Sequence, residues 1–252
     1  IVQKGESQQK VPLKKRDNGG PGYTSLNSNI LLLFTQYKET DLMDPLLEGG
    51  AAIQGRDYTL IIDNSNDMQI SNFSTDRKPW DLMQDSVIRL ATECEKLDLD
   101  GLTVYLFSDC FKRYDQMTST DLAQIFLENQ PSGKTNLADA LKDAIDNYFE
   151  RRALKIAKPN GETILVVTAG EIEEPERVKQ IIICASKNLR QDEELGISLI
   201  QVGDKPEVTK FFKLLDDQLQ TVGAKFDICN TVTIADMENM DLCDVLINAI
   251  FG

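Results

Sequence analysis

Within a single step at residue 63 the sequence changes character. Tyr58-Thr-Leu-Ile-Ile62 is β-branched or aromatic almost throughout and too short for a helix. It gives way to Asp63-Asn-Ser-Asn-Asp67, a run of turn formers with side-chain oxygens. A buried central strand opening into a polar loop is the expected structure. In open α/β folds ligands sit beyond the carboxyl ends of parallel strands, where oxygen donors from several loops converge. Asp63, Ser65 and Asp67 alternate, so their side chains can face one side of the loop toward a hard cation such as Mg²⁺. The same residues also suit an Asx-turn, in which side chains bond only nearby backbone amides. The pentapeptide by itself leaves both readings open.

The rest of the chain supports a strand at this place. Residues 78–97 begin with Pro79 at a helix-opening position and carry Leu82, Met83, Val87, Leu90, Ala91 and Cys94 at helical spacing. Strands are predicted at 101–107, 163–168, 197–202 and 226–234, and a short antiparallel edge strand at 111–117. Helices are predicted at 120–129, 136–152, 175–189, 207–222 and 240–251. Alternation of this kind calls for an α/β, Rossmann-like architecture over residues 56–252, a mostly parallel sheet with helices on both faces.

Residues 1–55 read differently, as an extended docking arm. The first 21 are rich in Lys, Gln, Gly, Pro and Ser and cannot build a core, so alone they are expected to be disordered. Gly19-Gly20-Pro21-Gly22 forms a hinge, residues 29–37 a short strand or helix, and Gly49-Gly50 a separator. Such an arm gains order on a surface, its own domain or another protein, and its isolated apolar clusters favour another protein. Lys14, Lys15 and Arg16 would steer it to an acidic partner, and Leu42, Met43, Leu46 and Leu47 would anchor it.

Composition narrows the function classes. A net charge of −14 over 252 residues disfavours nucleic acid and anionic lipid as partners of the main domain. With no histidine, the commonest neutral-pH acid/base and the commonest zinc ligand are both missing. Five scattered cysteines without CxxC spacing suit a reducing compartment. No run approaches the roughly 18 apolar residues of a membrane span. A start at Ile1 rather than Met suggests a processed or partial chain. Gly133-Lys134-Thr135 lacks the upstream glycine of a phosphate loop, since Glu128 stands there, and follows a predicted helix rather than a strand.

Three loops together carry a resemblance: Asp63-Asn-Ser-Asn-Asp67, Ser132-Gly-Lys-Thr-Asn-Leu137 opening a helix, and Ile164-Leu-Val-Val-Thr-Ala-Gly-Glu171. In this order and context residues 56–252 resemble a von Willebrand factor A domain. In that family the three loops form a metal-ion-dependent adhesion site, which usually reads Asp-x-Ser-x-Ser, Thr, and Thr-Asp-Gly. Asp63, Ser65 and Thr135 match it; Asp67 stands where the second serine is expected, and Ala169 where the third loop's aspartate is expected. The resemblance therefore implies a degenerate site formed by Asp63, Ser65, Asp67 and Thr135, with no cofactor or weakly bound Mg²⁺. Without a metal, Asp63 and Asp67 need screening by water or Lys134.

Further wording, Thr103-Val-Tyr-Leu-Phe-Ser108 and Gly223-Ala-Lys-Phe-Asp227 among it, resembles small von Willebrand A proteins of cyanobacteria and algal plastids. That implies a plastid stroma, with or without association to a thylakoid complex, or a bacterial cytoplasm. The function implied is a non-enzymatic protein-interaction module docking on a larger assembly. The alternatives are Mg²⁺-dependent ligand binding through the modified site and a permanent subunit of a photosynthetic complex.

Overall fold

The computed structural model describes residues 8–10, 50–70 and 77–252. At its centre lies β2 (Asp57–Asp63), paired in parallel with β3 (Leu102–Phe107) on one side and β5 (Glu162–Thr168) on the other. With helices over both faces, such a strand has no solvent side, which is why it reads as a continuous apolar run rather than an alternation. Beyond β5 lie β6 (Leu195–Gln201) and β7 (Cys229–Thr233), both parallel. β4 (Phe111–Met117) returns antiparallel to β3, and the sheet order is β1-β4-β3-β2-β5-β6-β7.

The first strand of that order comes from the arm. Gln8–Lys10 (β1) runs parallel along the outer edge of β4, so part of the segment expected to be unstructured pairs with its own domain. A sheet edge offers unpaired amides and carbonyls to any extended segment, whatever its side chains. Lys14, Lys15, Arg16, Leu42, Met43, Leu46 and Leu47 lie outside the described residues, as does the segment predicted at 29–37.

Successive β2 side chains point to opposite faces and split the core in two. Leu60 and Ile62 join Val104, Leu165 and Ile200 under α2 (Pro79–Leu97), α3 (Ser119–Glu128) and α8 (Leu242–Phe251). On the opposite face Ile61 joins Tyr105, Ile164, Val166 and Leu199 under α4 (Leu137–Ala153), α5 (Pro175–Asn188) and α6 (Pro206–Asp217). A helical turn, α1 (Gly50–Ile53), precedes β2 in the stretch read as arm. Its Ile53 is fully buried and its carbonyl accepts a hydrogen bond from the Tyr58 hydroxyl at 2.5 Å.

Several element ends differ from the sequence reading by a few residues, and at two of them the local reason is visible. The helix predicted to run to 222 stops at Asp217. A separate turn at Gln220–Val222 follows, closed by Gly223 at φ +112°, a left-handed conformation that glycine adopts without steric cost. The last strand ends at Thr233 because Thr233 and Asp236 form a reciprocal capping box that opens α7 (Ile234–Met237).

Candidate functional site

At the carboxyl end of β2 the Asp63 side chain is fully buried, and both its oxygens are engaged. Oδ1 accepts from the Ser65 amide at 2.7 Å, which is an Asx-turn, and Oδ2 accepts from the Thr168 hydroxyl at the end of β5. Thr168 Oγ1 accepts in turn from the Gly170 amide at 3.0 Å. Burial pushes the Asp63 carboxyl up to about 6; the hydrogen bonds from Thr168 and Ser65 oppose this, and the nearby Asp67 charge adds to it.

The second loop is tied to the first through its backbone. Ser132 donates to the Asn64 carbonyl at 2.7 Å and Asn66 to the Gly133 carbonyl at 3.0 Å. This brings the buried Thr135 hydroxyl within 3.0 Å of Ser65 Oγ and 3.3 Å of Asp67 Oδ2. All four residues singled out from the sequence, Asp63, Ser65, Asp67 and Thr135, thus converge. The third loop packs tightly on them: a Cβ at Gly170 would stand 2.3 Å from Thr135 Oγ1 and 2.9 Å from Asp67 Oδ2. Ala169, almost fully buried, offers no side-chain donor.

A fourth loop supplies what sequence reasoning missed. Lys205, between β6 and α6, places its ammonium 2.6 Å from Asp67 Oδ1. Lys134, the expected screening cation, turns instead to Glu173 at 3.3 Å and stays largely exposed. The signal for Lys205 lay in topology alone: its loop follows the strand next to β5, so it opens on the same end of the sheet.

This donor set does not fit a divalent ion with Lys205 in place. Mg²⁺ needs near-octahedral oxygen ligands at roughly 2.0–2.1 Å. The Asp63 oxygens are committed to Ser65 and Thr168, Asp67 Oδ1 holds an ammonium, and the third loop contributes no carboxylate.

A second acidic group gathers at the amino end of the sheet. Carboxylate oxygens of Asp57, Asp98 and Asp100 lie within 4.8 Å of one another, close enough to hold a metal. Lys158 Nζ stands 2.8 Å from Asp98 Oδ1 and also bonds Asp100. Arg151 bonds both Asp57 and the buried Glu162. No helix among the described residues is long and apolar enough to cross a membrane.

No family model matches the chain, and no curated protein matches it. Solved structures do. A variant of the PilB minor pilin from Streptococcus sanguinis superposes with TM-score 0.54 at 11% identity, over 80% of this chain and 64% of that one. The chain thus spans just under two thirds of the pilin. Manganese-loaded TRAP protein from Plasmodium vivax superposes with TM-score 0.52 at 13% identity, over 78% of this chain and 74% of that one. The fold is of the von Willebrand A type, a mostly parallel sheet between two helical layers.

Proposed function

We propose that this chain is a non-enzymatic protein-interaction module, an adaptor or accessory subunit that docks on a larger protein assembly through its amino-terminal arm and the surfaces of its domain. The observation that carries the reading is the von Willebrand A-like fold with its loop cluster at the carboxyl end of the sheet. There Asp63 bonds Ser65 and Thr168, Thr135 bonds Ser65 and Asp67, and Lys205 bonds Asp67. β1 occupies the chain's own sheet edge, so docking through the arm would rest on the other residues of 1–55. A reducing compartment, such as a plastid stroma beside a thylakoid complex or a bacterial cytoplasm, agrees with five cysteines that form no disulfide.

A second reading is Mg²⁺-dependent binding through Asp63, Ser65, Asp67 and Thr135, favoured by their convergence and opposed by Lys205. Affinity purification from the native cell separates the two, using the full chain and a chain lacking residues 1–50, each with and without chelator. Loss of the partner on arm deletion, with indifference to chelator, supports docking through the arm. Loss with chelator and retention without the arm overturns it. Stoichiometric co-purification marks a permanent subunit.

A further inference from the structure

Lys205 is held more firmly than a surface lysine. Its carbonyl accepts from Gln201 Nε2 at 3.2 Å and from Thr209 Oγ1 at 3.1 Å, and Thr209 Oγ1 is also 2.9 Å from Gln201 Oε1. Gln201 is buried at the end of β6, Thr209 lies in the first turns of α6, and Pro206 opens that helix. The backbone from which the side chain departs is thus fixed on both sides. The side chain is 20% exposed, whereas that of Lys134 is 68% exposed. Lys205 therefore reaches the acidic loop, whereas the more exposed Lys134 turns to Glu173.

We propose that the Lys205 ammonium is the resident cation of this site, a tethered charge that stands in for a divalent ion at Asp67 and keeps Mg²⁺ and Mn²⁺ out. An ammonium has three donors and no acceptor, so it complements an acceptor-rich pocket as a hard cation does. A divalent ion bound to Asp67 Oδ1 would lie within a few ångströms of the ammonium, which already stands 2.6 Å from that oxygen. Like charges at that separation repel strongly even in a partly hydrated site. The committed Asp63 oxygens and the absent third-loop carboxylate keep any divalent site here weak; the lysine is the part of the misfit that one substitution removes. The inference concerns the isolated chain and holds whether or not the arm carries docking.

The test measures Mn²⁺ binding to the purified full chain, after chelation and buffer exchange, from the electron paramagnetic resonance of the free ion and from thermal melts with added Mn²⁺ or Mg²⁺. Wild type and Lys205→Arg are expected to show no Asp67-dependent binding and no metal-induced shift in melting temperature. Lys205→Met is expected to bind Mn²⁺ at least about tenfold more tightly than wild type, a difference of about 1.4 kcal/mol, and to melt higher when Mn²⁺ is added. Adding Asp67→Asn should abolish the gain, which separates this site from the Asp57, Asp98 and Asp100 group. Lys205→Gln serves the same comparison if the methionine variant does not fold. The proposal is overturned by wild-type binding that Asp67→Asn removes, or by neutral variants at 205 that fold and gain no affinity.

Discussion

The two ends of the central sheet are built from similar material, aspartates beside basic residues, and use it differently. At the amino end Arg151 spans the carboxylates of Asp57 and Glu162 and Lys158 those of Asp98 and Asp100, while Arg56 donates to the Glu162 backbone carbonyl at 2.9 Å and to Thr163 Oγ1 at 2.6 Å. Glu162 is 1% exposed. At the carboxyl end hydroxyls do most of the work, with Ser65, Thr135 and Thr168 lying between the carboxylates, and among the described residues the cation bonded to them is a half-buried lysine. A planar guanidinium satisfies two carboxylates at once in a fixed geometry, whereas an ammonium is a compact charge on a flexible stem. The amino end is therefore a structural clamp. The carboxyl end is a cation site whose occupant can be exchanged by substitution.

Breaking the clamp should have the largest effect. At pH 8, where Glu162 is ionised, Arg151→Met leaves Glu162 and Asp57 without their cation, and an uncompensated buried charge of this kind costs about 3 kcal/mol or more. The measurement is urea denaturation followed by circular dichroism. A loss below that of an ordinary surface substitution would mean that the two ends are alike after all.

The clamp also predicts a pH dependence, which sharpens the contrast. Burial raises Glu162 from its ordinary value of 4.5 to about 7, against the attraction of Arg151 and the hydrogen bond from Thr59. The folded chain thus keeps this proton over a range in which the unfolded chain has lost it. Stability from this group is present below pH about 4.5 and is lost as pH rises toward about 7. Asp63 acts in the same direction up to about pH 6. The expected loss from Glu162 is on the order of 2 kcal/mol between pH 5 and pH 8. Glu162→Gln should flatten the upper part of the curve while leaving the fall below pH 6 in place.

The smallest effect belongs to the carboxyl end. In metal-free buffer Lys205→Met should cost about 1 kcal/mol or less, because the Asp67 side chain is 28% exposed and that of Lys205 is 20% exposed. A loss as large as that of Arg151→Met, by the same denaturation measurement, would make Lys205 part of a second clamp.

Much of the site was legible because it is local. The run from Asp63 to Asp67 is contiguous, and Ser132 to Leu137 opens a helix at a recognisable place, so their meeting followed from strand order. Of the two readings open in the sequence, the Asx-turn is present: Asp63 accepts from the Ser65 amide with one oxygen and from the Thr168 hydroxyl with the other. Lys205 was not legible, because nothing in Gly203-Asp204-Lys205-Pro206 marks a lysine that crosses 138 positions to reach Asp67. The same holds for β1. Three polar residues carry no strand signal, and only an available edge on β4 gives them a partner.

The sequence by itself determined the alternation of strands and helices, the burial of β2 on both faces, and the presence of two aspartates in the first loop with alanine at 169. These follow from side-chain periodicity and turn chemistry, which act over a few residues. Only the tertiary structure decided which cation faces Asp67. That choice depends on how the β6–α6 loop is pinned by Gln201 and Thr209 and on which lysine has its reach shortened by a fixed backbone. Electrostatic pairing is set by distance in space, and distance in space is what the linear sequence does not contain.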